Sequence, residues 1–404
     1  MAVVIFILGI VLFLALVITH EMGHFLVAKR GGVKAEEFGV FFPPRLWKKR
    51  MKGGWDFTIN LLPLGGFVKL KGEHDSDTET GSFGAASDLV KAKIMLAGVA
   101  VNLVTALVLF TVLALVGMPQ IVDKQFAVAS DVKTVREEVR VGLVSKNSPA
   151  TKAGLREQDV IKTIALVTPE SCQTPETCNV SGAVRDITTA ESLKKTTRAL
   201  AGKTVRVTYA RAGKPGTVIA RLNSDKAVAA SQKTDNPQGY LGVVPQELTL
   251  KRSTWSAPIV AVGLSAQFTH LTFQGIGQAL KGLGGIVAGT VTGNVTARQH
   301  AQTAASEQVS GPLGIFFVLK GGSSLGLIFV LFIIAIISLT LAIMNVLPIP
   351  ALDGGRLYMM LASRKLTKSG RLTPDMEERI VGGSFVALLG LIVLITIVDV
   401  KRFF

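Results

Sequence analysis

Four long apolar segments dominate this sequence of 404 residues and restrict the folds that it can adopt. They cover residues 2–28, 94–116, 325–347 and 381–398. Each is close to the roughly 20 residues that a helix needs to cross about 30 Å of hydrocarbon. Only 18% of the residues are charged, against about 25% in a soluble globular protein. The sequence therefore predicts a polytopic α-helical membrane protein with four transmembrane helices.

Basic residues gather at particular ends of these segments. Lys29, Arg30 and Lys34 follow the first segment directly, and several more lie between the third and the fourth. Cytoplasmic loops carry an excess of Lys and Arg, so we expect both of these loops inside the cell and both termini outside. The net charge of +16 is thereby explained by topology. No basic stripe interleaved with aromatic residues accompanies it, which argues against nucleic acid as a partner.

The spans and basic loops divide the chain into eight parts. We expect transmembrane helix 1 at 1–28, a cytoplasmic loop with membrane-associated β-strands at 29–92, transmembrane helix 2 at 93–117, an extracytoplasmic α+β domain at 118–250, an amphipathic helical and linker region at 251–309, transmembrane helix 3 at 310–355, a cytoplasmic loop at 356–379 and transmembrane helix 4 at 380–404.

Two of these parts carry weaker patterns. Between Trp55 and Leu70 apolar and polar residues partly alternate around Pro-Leu-Gly-Gly at 63–66, which predicts short strands around a turn. Residues 256–291 are apolar but interrupted by glycines, which predicts an amphipathic helix, or a pair of helices, at the membrane surface. A full extra span in this stretch stays open, although it upsets the inside and outside count.

The soluble part is predicted to mix strands and helices. Strands are expected at 139–144 and 204–209, with a helix near 190–201. The cysteines, Cys172 and Cys178, lie in a polar loop of this part. If that loop is outside the cytoplasm, a small disulfide is plausible, and two unpaired thiols are the alternative.

The first apolar segment ends in His20-Glu21-Met22-Gly23-His24, an HExxH motif. On a helix, positions i and i+4 share one face, so the two imidazoles can bind one metal ion. Glu21 then lies beside the first ligand and can act as a general base. A polar helix end facing the cytoplasm is the alternative, but ionisable groups near lipid depth are rarely present without a function.

A catalytic zinc ion takes three protein ligands and keeps one position for water. Asp353 is the candidate for the third ligand, because it lies where the third apolar segment breaks at Pro348, Pro350 and two glycines. Non-helical backbone at membrane depth is tolerated only where protein buries it or where it lines a wet cavity. The spacing alone leaves an ordinary turn at a helix exit equally open.

Five motifs together resemble the site-2 protease family of intramembrane zinc metalloproteases, and within it the bacterial regulator of sigma-E protease group. They are His-Glu-Met-Gly-His-Phe at 20–25, Pro-Leu-Gly-Gly-Phe-Val at 63–68, Leu-Ala-Gly-Val-Ala-Val-Asn at 96–102, Ser-Gly-Pro-Leu-Gly-Ile at 310–315 and the segment 345–357. In the soluble part, short motifs at 148–150, 153–155 and 159–161 resemble a bacterial, circularly arranged PDZ domain.

The resemblance implies a fold, an activity and a set of site residues. His20, His24 and Asp353 would bind Zn²⁺, with Glu21 as the catalytic base. The protein would be a multi-pass endopeptidase of the bacterial inner membrane that cleaves single-span membrane proteins, such as anti-sigma factors, or remnant signal peptides. Its active site would lie towards the cytoplasm, and its PDZ domain would lie outside, with a peptide or protein as a possible ligand.

The resemblance also suggests residues that contact the substrate. Asn345 is a candidate for holding the substrate backbone, and Asn102 is a second one, although an interhelical hydrogen bond explains Asn102 equally well. Gly65, Gly66 and Phe67 belong to a strand that could pair with an unwound substrate helix, which is β-augmentation. A structural hairpin at the membrane face is the alternative for that strand.

Two other function classes fit parts of the sequence. A PDZ-bearing membrane adaptor with a structural or inactive metal site would need no glutamate beside the metal, which the intact Glu21 opposes. A zinc transporter would need further ligands on several spans, whereas His270 and His300 are isolated and His74 lies in a loop.

Overall fold

The computed structural model of the chain describes residues 1–75, 77–168, 179–232, 234, 237–291, 312–366 and 371–403. The chain divides into two compact units. The first unit comprises Met1–Leu115, Gln125–Val128 and Trp255–Phe404, and the second comprises Val116–Lys124 and Ala129–Thr254.

Within the described residues, helices and strands follow one another in a mixed order. The helices are α1 (Ala2–Arg30), α2 (Asp88–Val116), α3 (Pro149–Ala153), α4 (Ala190–Ala199), α5 (Asp225–Ser231), α6 (Ala257–Val291), α7 (Pro312–Leu325), α8 (Leu327–Val346), α9 (Asp353–Leu366) and α10 (Pro374–Phe403). The strands are β1 (Ala35–Arg50), β2 (Asp56–Leu70), β3 (Met118–Pro119), β4 (Lys133–Val144), β5 (Val160–Leu166), β6 (Arg185–Asp186), β7 (Thr204–Arg211), β8 (Lys214–Arg221) and β9 (Val243–Arg252).

Four helices of the first unit are long and apolar enough to cross a membrane: α1, α2, α8 and the part of α10 over Pro374–Ile397. They coincide with the four apolar segments. Helix α2 begins at Asp88, earlier than the apolar segment, because the Ser87 hydroxyl accepts the backbone N–H of Val90 and caps its first turn. Polar capping thus extends a helix that hydropathy alone would shorten.

Helix α1 packs against α7 and α8 through a buried apolar cluster. Its members are Leu16 of α1, Leu319 of α7, and Val330 and Ile334 of α8. Gly9 allows the close approach, since a Cβ there would lie 3.0 Å from Val330 Cγ1. This packing places the HExxH end of α1 beside the helix that leads to Asp353.

Strands β1 and β2 are each bent into two segments, so the two strands form a sheet with four rows of paired backbone. Residues 35–40 pair with 66–70 on one side and with 56–59 on the other, and 56–60 also pair with 45–50. Asn60 supports the bend of β1, because its Nδ2 donates to the carbonyls of Val40 and Phe41. The prediction of short strands within 55–70 missed β1, whose two consecutive prolines disguise a strand.

Helix α6 is one continuous helix, which is the first of the two alternatives that the sequence predicted. Its buried residues recur at helical spacing: Ala257, Val260, Ala261, Leu264 and Phe268. The Phe268 ring packs against Phe110 of α2 and Phe332 of α8, at centroid distances of 6.0 and 6.2 Å. The first half of α6 is therefore part of the core, and the predicted linker after it lies outside the described residues.

The second unit is an α+β domain built on one sheet. Its strand order is β3-β9-β4-β5-β7-β8, with β6 paired to β5. Strand β4, helix α4 and strand β7 lie at the positions that the sequence predicted. Their apolar residues form a single core, which includes Val139, Ile161, Leu193 and Val207. Cys172 and Cys178, with their predicted disulfide, lie outside the described residues.

Local polar contacts fix the turns of this domain. Ser148 caps α3 by accepting the Thr151 N–H, and Gly154 ends that helix in the left-handed region at φ 83°. Asp159 is fully buried and accepts two hydrogen bonds of 2.7 Å from Arg211. Asp159 therefore has a structural role, in which it ties the start of β5 to the end of β7.

Candidate metal centre

The HExxH motif lies on an uninterrupted stretch of α1. His20 and His24 are one helical turn apart and point to the same side, with 3.2 Å between their Nε2 atoms. Both side chains are largely buried, at 11% relative exposure. The i and i+4 spacing therefore brings two imidazole nitrogens together, as predicted.

Asp353 reaches the same point from the other end of the chain. Helix α8 ends at Val346, and the extended backbone of Leu347 before Pro348 prevents the helix from continuing. Asp353 is the first residue of the next helix, α9, and its Oδ2 lies 3.3 Å from Nε2 of each histidine. Gly354 lets α9 start this close to α8, because a Cβ there would collide with the backbone of Val346.

The three side chains suit a zinc ion. Tetrahedral zinc with bonds of about 2.0–2.1 Å places neighbouring ligand atoms about 3.3 Å apart. The observed separations are 3.2, 3.3 and 3.3 Å. Among the described residues Asp353 Oδ2 is buried without a hydrogen-bond partner, which is costly for a carboxylate unless a cation neutralises it. Two nitrogens and one buried carboxylate oxygen at these separations are consistent with a resident zinc ion.

One face of α2 supports both histidines. The carbonyl of Ile94 lies 2.7 Å from His24 Nδ1, and the amide of Asn102 lies 3.2 Å from His20 Nδ1. Gly98 lies between them in sequence, and a Cβ there would lie 2.6 Å from His20 Nδ1. Residues i, i+4 and i+8 of α2 therefore line the two histidines, with Ile94 and Asn102 at their Nδ1 atoms and Gly98 against both rings. The sequence reasoning missed Ile94 and Gly98, although the small residues at 97–100 are a signal of close helix approach.

Glu21 faces the sheet formed by β1 and β2. A Cβ added at Gly66 would lie 3.2 Å from Glu21 Cγ, so only glycine fits there without displacement. The outer row of the sheet, residues 66–70, therefore lies against Glu21.

The other candidate substrate residues have different surroundings. Asn345 is half-buried near the end of α8, and its side chain makes no hydrogen bond to any described residue. Gly65 lies against Phe42 and Val17. The Phe67 ring stacks on Phe42 at 6.3 Å and covers Gly39, so it packs within the sheet.

The far end of α9 is held by a buried ionic cluster. Arg364 donates to Asp75 at 2.6 Å and to Asp88 at 2.8 Å, and Lys91, which is fully buried, donates to Asp75 at 2.6 Å. Burial raises the pKa of Asp75, but the hydrogen bonds from Arg364 and Lys91 outweigh it and lower the pKa below its usual value. The helix that begins with Asp353 is thus fixed to the loop before α2.

Comparison with known proteins decides the family. A sequence profile of peptidase family M50 matches residues 8–391. The chain belongs to peptidase family M50. This M50 peptidase is 26% identical over 394 residues to a Clostridium perfringens protein named as a zinc metalloprotease, with 98% of each chain covered. It is also 26% identical over 444 residues to the regulator of sigma-E protease of Salmonella typhimurium, with 93% of this chain and 94% of that one covered.

A third relative agrees with this assignment. A Clostridium acetobutylicum protein, also named as a zinc metalloprotease, is 28% identical over 397 residues and is matched over 96% of its length. Family membership, these relatives and the four apolar helices identify the M50 peptidase as a membrane zinc metalloprotease of the site-2 protease type. Its cofactor is Zn²⁺, and it is an inner-membrane protein.

Proposed function

We propose that this M50 peptidase hydrolyses peptide bonds inside the transmembrane segments of single-span membrane proteins, such as anti-sigma factors or remnant signal peptides. His20, His24 and Asp353 are the proposed zinc ligands and Glu21 the proposed base. One observation carries the proposal: the ligand atoms of these three residues lie within 4.8 Å of one another, and the two histidines flank Glu21 on an apolar helix long enough to span a membrane.

The chemistry follows from the positions of these side chains. When bound, zinc supplies Lewis-acid activation of a water molecule and of the scissile carbonyl. Glu21 follows the first ligand directly and is placed to take a proton from that water and return it to the leaving amine. Asn345, whose amide has no hydrogen-bond partner among the described residues, is available to hold the substrate backbone.

We further propose that residues 66–70 present the substrate to Glu21. The peptide bonds of a helix are shielded by its own hydrogen bonds, so a transmembrane substrate must unwind before it is cut. An unwound segment could add to the outer row of the sheet by β-augmentation. Gly65 and Gly66 keep this row free of side chains near Glu21, and Phe67 stiffens it through Phe42. Asn102, on α2, is a second candidate for contact with the substrate.

The second unit has a proposed role in selection. Its strand order, the α3 cap at Ser148 and the α4 helix support a PDZ fold of the circularly arranged bacterial kind. We expect it to bind a peptide or protein ligand and to lie outside the cytoplasm, with the active site towards the cytoplasmic side. The Lys and Arg residues that end α1 support this sidedness.

Two rival functions predict different sites. A membrane adaptor would not need Glu21 beside the ligand pair, facing a strand edge. A zinc transporter would need metal-binding clusters along several spans, whereas within the described ranges His20, His24 and Asp353 form the one cluster of this kind. The observed arrangement favours hydrolysis over both.

The deciding experiment is Glu21→Gln in purified enzyme, incubated in proteoliposomes with a single-span reporter substrate. We expect the cleavage rate to fall by about 10²–10⁴ because a general base is lost, with zinc content unchanged. Glu36→Gln is the matched control, since Glu36 is exposed on β1 and pairs with Lys69. Cleavage by Glu21→Gln at the control rate would show that Glu21 is not the base.

A further inference from the structure

The amide of Asn102 lies against the nitrogen of His20 that faces away from the ligand cluster. His20 Nε2 is the atom that meets His24 and Asp353, at 3.2 and 3.3 Å. The opposite nitrogen, Nδ1, lies 3.2 Å from the Asn102 side chain. Asn102 is 1% exposed, so this contact is closed to water.

The chemistry of a metal-bound histidine restricts what Asn102 can do there. An imidazole that binds a metal through Nε2 carries its proton on Nδ1 and needs an acceptor for it. His24 has that acceptor in the carbonyl of Ile94, which can only accept. The matching position beside His20 is occupied by Asn102, whose side chain offers one oxygen and two N–H donors.

The orientation of the amide can be read from its hydrogen bonds. With Nδ2 towards His20, two donors would face each other, and Asn102 Oδ1 has no partner among the described residues. Amide oxygen and nitrogen are assigned from the hydrogen-bond network. A half-turn of the amide puts Oδ1 against the Nδ1–H of His20 and removes the conflict.

We propose that Asn102 is a positioning residue for the zinc site: its Oδ1 accepts the Nδ1–H of His20, fixing the tautomer and the ring orientation that direct Nε2 to the metal. This inference rests on the proposed ligand role of His20. It gives Asn102 a defined task that neither substrate contact nor a general interhelical hydrogen bond describes.

The backbone of Asn102 is anchored as well. Its carbonyl accepts the hydroxyl of Ser338 at 2.8 Å, and Ser338 is fully buried on α8. Helix α8 is the helix that ends just before the segment leading to Asp353. Ser338 therefore ties α8 to the backbone of Asn102, separately from the contact between the Asn102 side chain and His20.

The test compares Asn102→Leu, Asn102→Asp and the control Ser338→Ala, which loses the helix contact but not the contact with His20. Zinc affinity is measured in purified protein by competition with a chelator, alongside melting of the zinc-free form and the KM and kcat of cleavage. We expect Asn102→Leu to lose about 10–100-fold in zinc affinity. Asn102→Asp keeps an acceptor and retains affinity within a few-fold, as does Ser338→Ala. If the leucine variant does not fold, Asn102→Ala replaces it in the comparison with Asn102→Asp.

Two results would overturn the proposal. If Asn102→Leu binds zinc as tightly as the wild type but melts at a lower temperature, Asn102 is a helix contact only. If Asn102→Leu binds zinc as tightly as the wild type but has a raised KM, Asn102 is a substrate contact. Failure of the ligand assignment itself is distinguishable, because His20→Ala would then retain zinc as tightly as the wild type does.

Discussion

Gly98 is the point where α2 comes closest to the ligand histidines, so Gly98→Ala probes the site with the smallest possible change. The added Cβ would lie 2.6 Å from His20 Nδ1 and closer still to His20 Cε1 and His24 Nε2. The His20 ring would have to move by more than about 0.8 Å, because ordinary contact begins at 3.4 Å, and the His24 ring would have to move as well. Helix propensity alone predicts the opposite outcome, a gain of about 1 kcal/mol in stability from alanine in place of glycine.

The expected magnitude follows from this displacement. A misplacement of about 1 Å at an active site can cost on the order of 100-fold in rate. We therefore expect Gly98→Ala to lower kcat by about 100-fold, and to weaken zinc retention, without loss of the folded protein. The assay is single-turnover cleavage of a single-span substrate in proteoliposomes, with zinc content and melting temperature measured on the same preparation.

Gly382→Ala is the matched control, because no atom of the described residues lies within 4 Å of a Cβ added at that position of α10. It should cleave at the wild-type rate and melt at the same temperature or higher. Cleavage by Gly98→Ala within two- to three-fold of wild type would refute the close contact between α2 and the histidines. An equal loss of cleavage rate in both variants would show that the effect comes from replacing a helical glycine and not from the metal site.

Two further predictions concern stability. Asp75→Asn leaves the fully buried Lys91 without its carboxylate partner and takes one of two carboxylates from Arg364, so it should destabilise the membrane unit by about 3 kcal/mol near neutral pH. Because the pKa of Asp75 is lowered in the folded protein, its contribution to stability is present above the unfolded pKa of about 3.9 and is lost as the pH falls through the folded pKa. The free energies of unfolding of the wild type and the variant should therefore converge below about pH 4. A difference in free energy that stays constant with pH would contradict this. Asp159→Ala removes two hydrogen bonds from Arg211 and should lower the free energy of unfolding of the soluble domain by about 2–3 kcal/mol, measured by calorimetry. Asp225→Ala, at an exposed position, should leave the melting temperature of that domain unchanged. Equal melting temperatures in the two variants would argue against the buried pair of Asp159 and Arg211.

Much of the site was predictable because its signals are local. The HExxH spacing places His20 and His24 on one helix face whatever the surrounding fold. The prolines and glycines around Asp353 predict a helix break, and the structure ends α8 and begins α9 there. The four spans followed from length and hydropathy alone, and the structure has four helices at those positions.

The rest depends on contacts between distant segments. Nothing in the sequence around Ile94 indicates that its carbonyl meets His24, because any residue type has that carbonyl. Residues 35–40 can pair with two different rows only because both strands are bent. The consecutive residues Pro43 and Pro44 argue against a strand in this part of the sequence. The glycines of α6 left one helix and a pair of helices equally open, and only the packing of Phe268 against Phe110 and Phe332 shows that its first half belongs to the core.

Zinc K-edge X-ray absorption of the purified, active protein tests the central claim most directly. The account predicts one zinc ion per chain with about four nitrogen or oxygen neighbours near 2.0–2.1 Å, two of them with the multiple scattering of imidazole rings. The same measurement on Asp353→Ala should show loss of zinc or of one oxygen neighbour. A sulfur neighbour near 2.3 Å, or a zinc shell unchanged by Asp353→Ala, would contradict the assignment of His20, His24 and Asp353 as the ligand set.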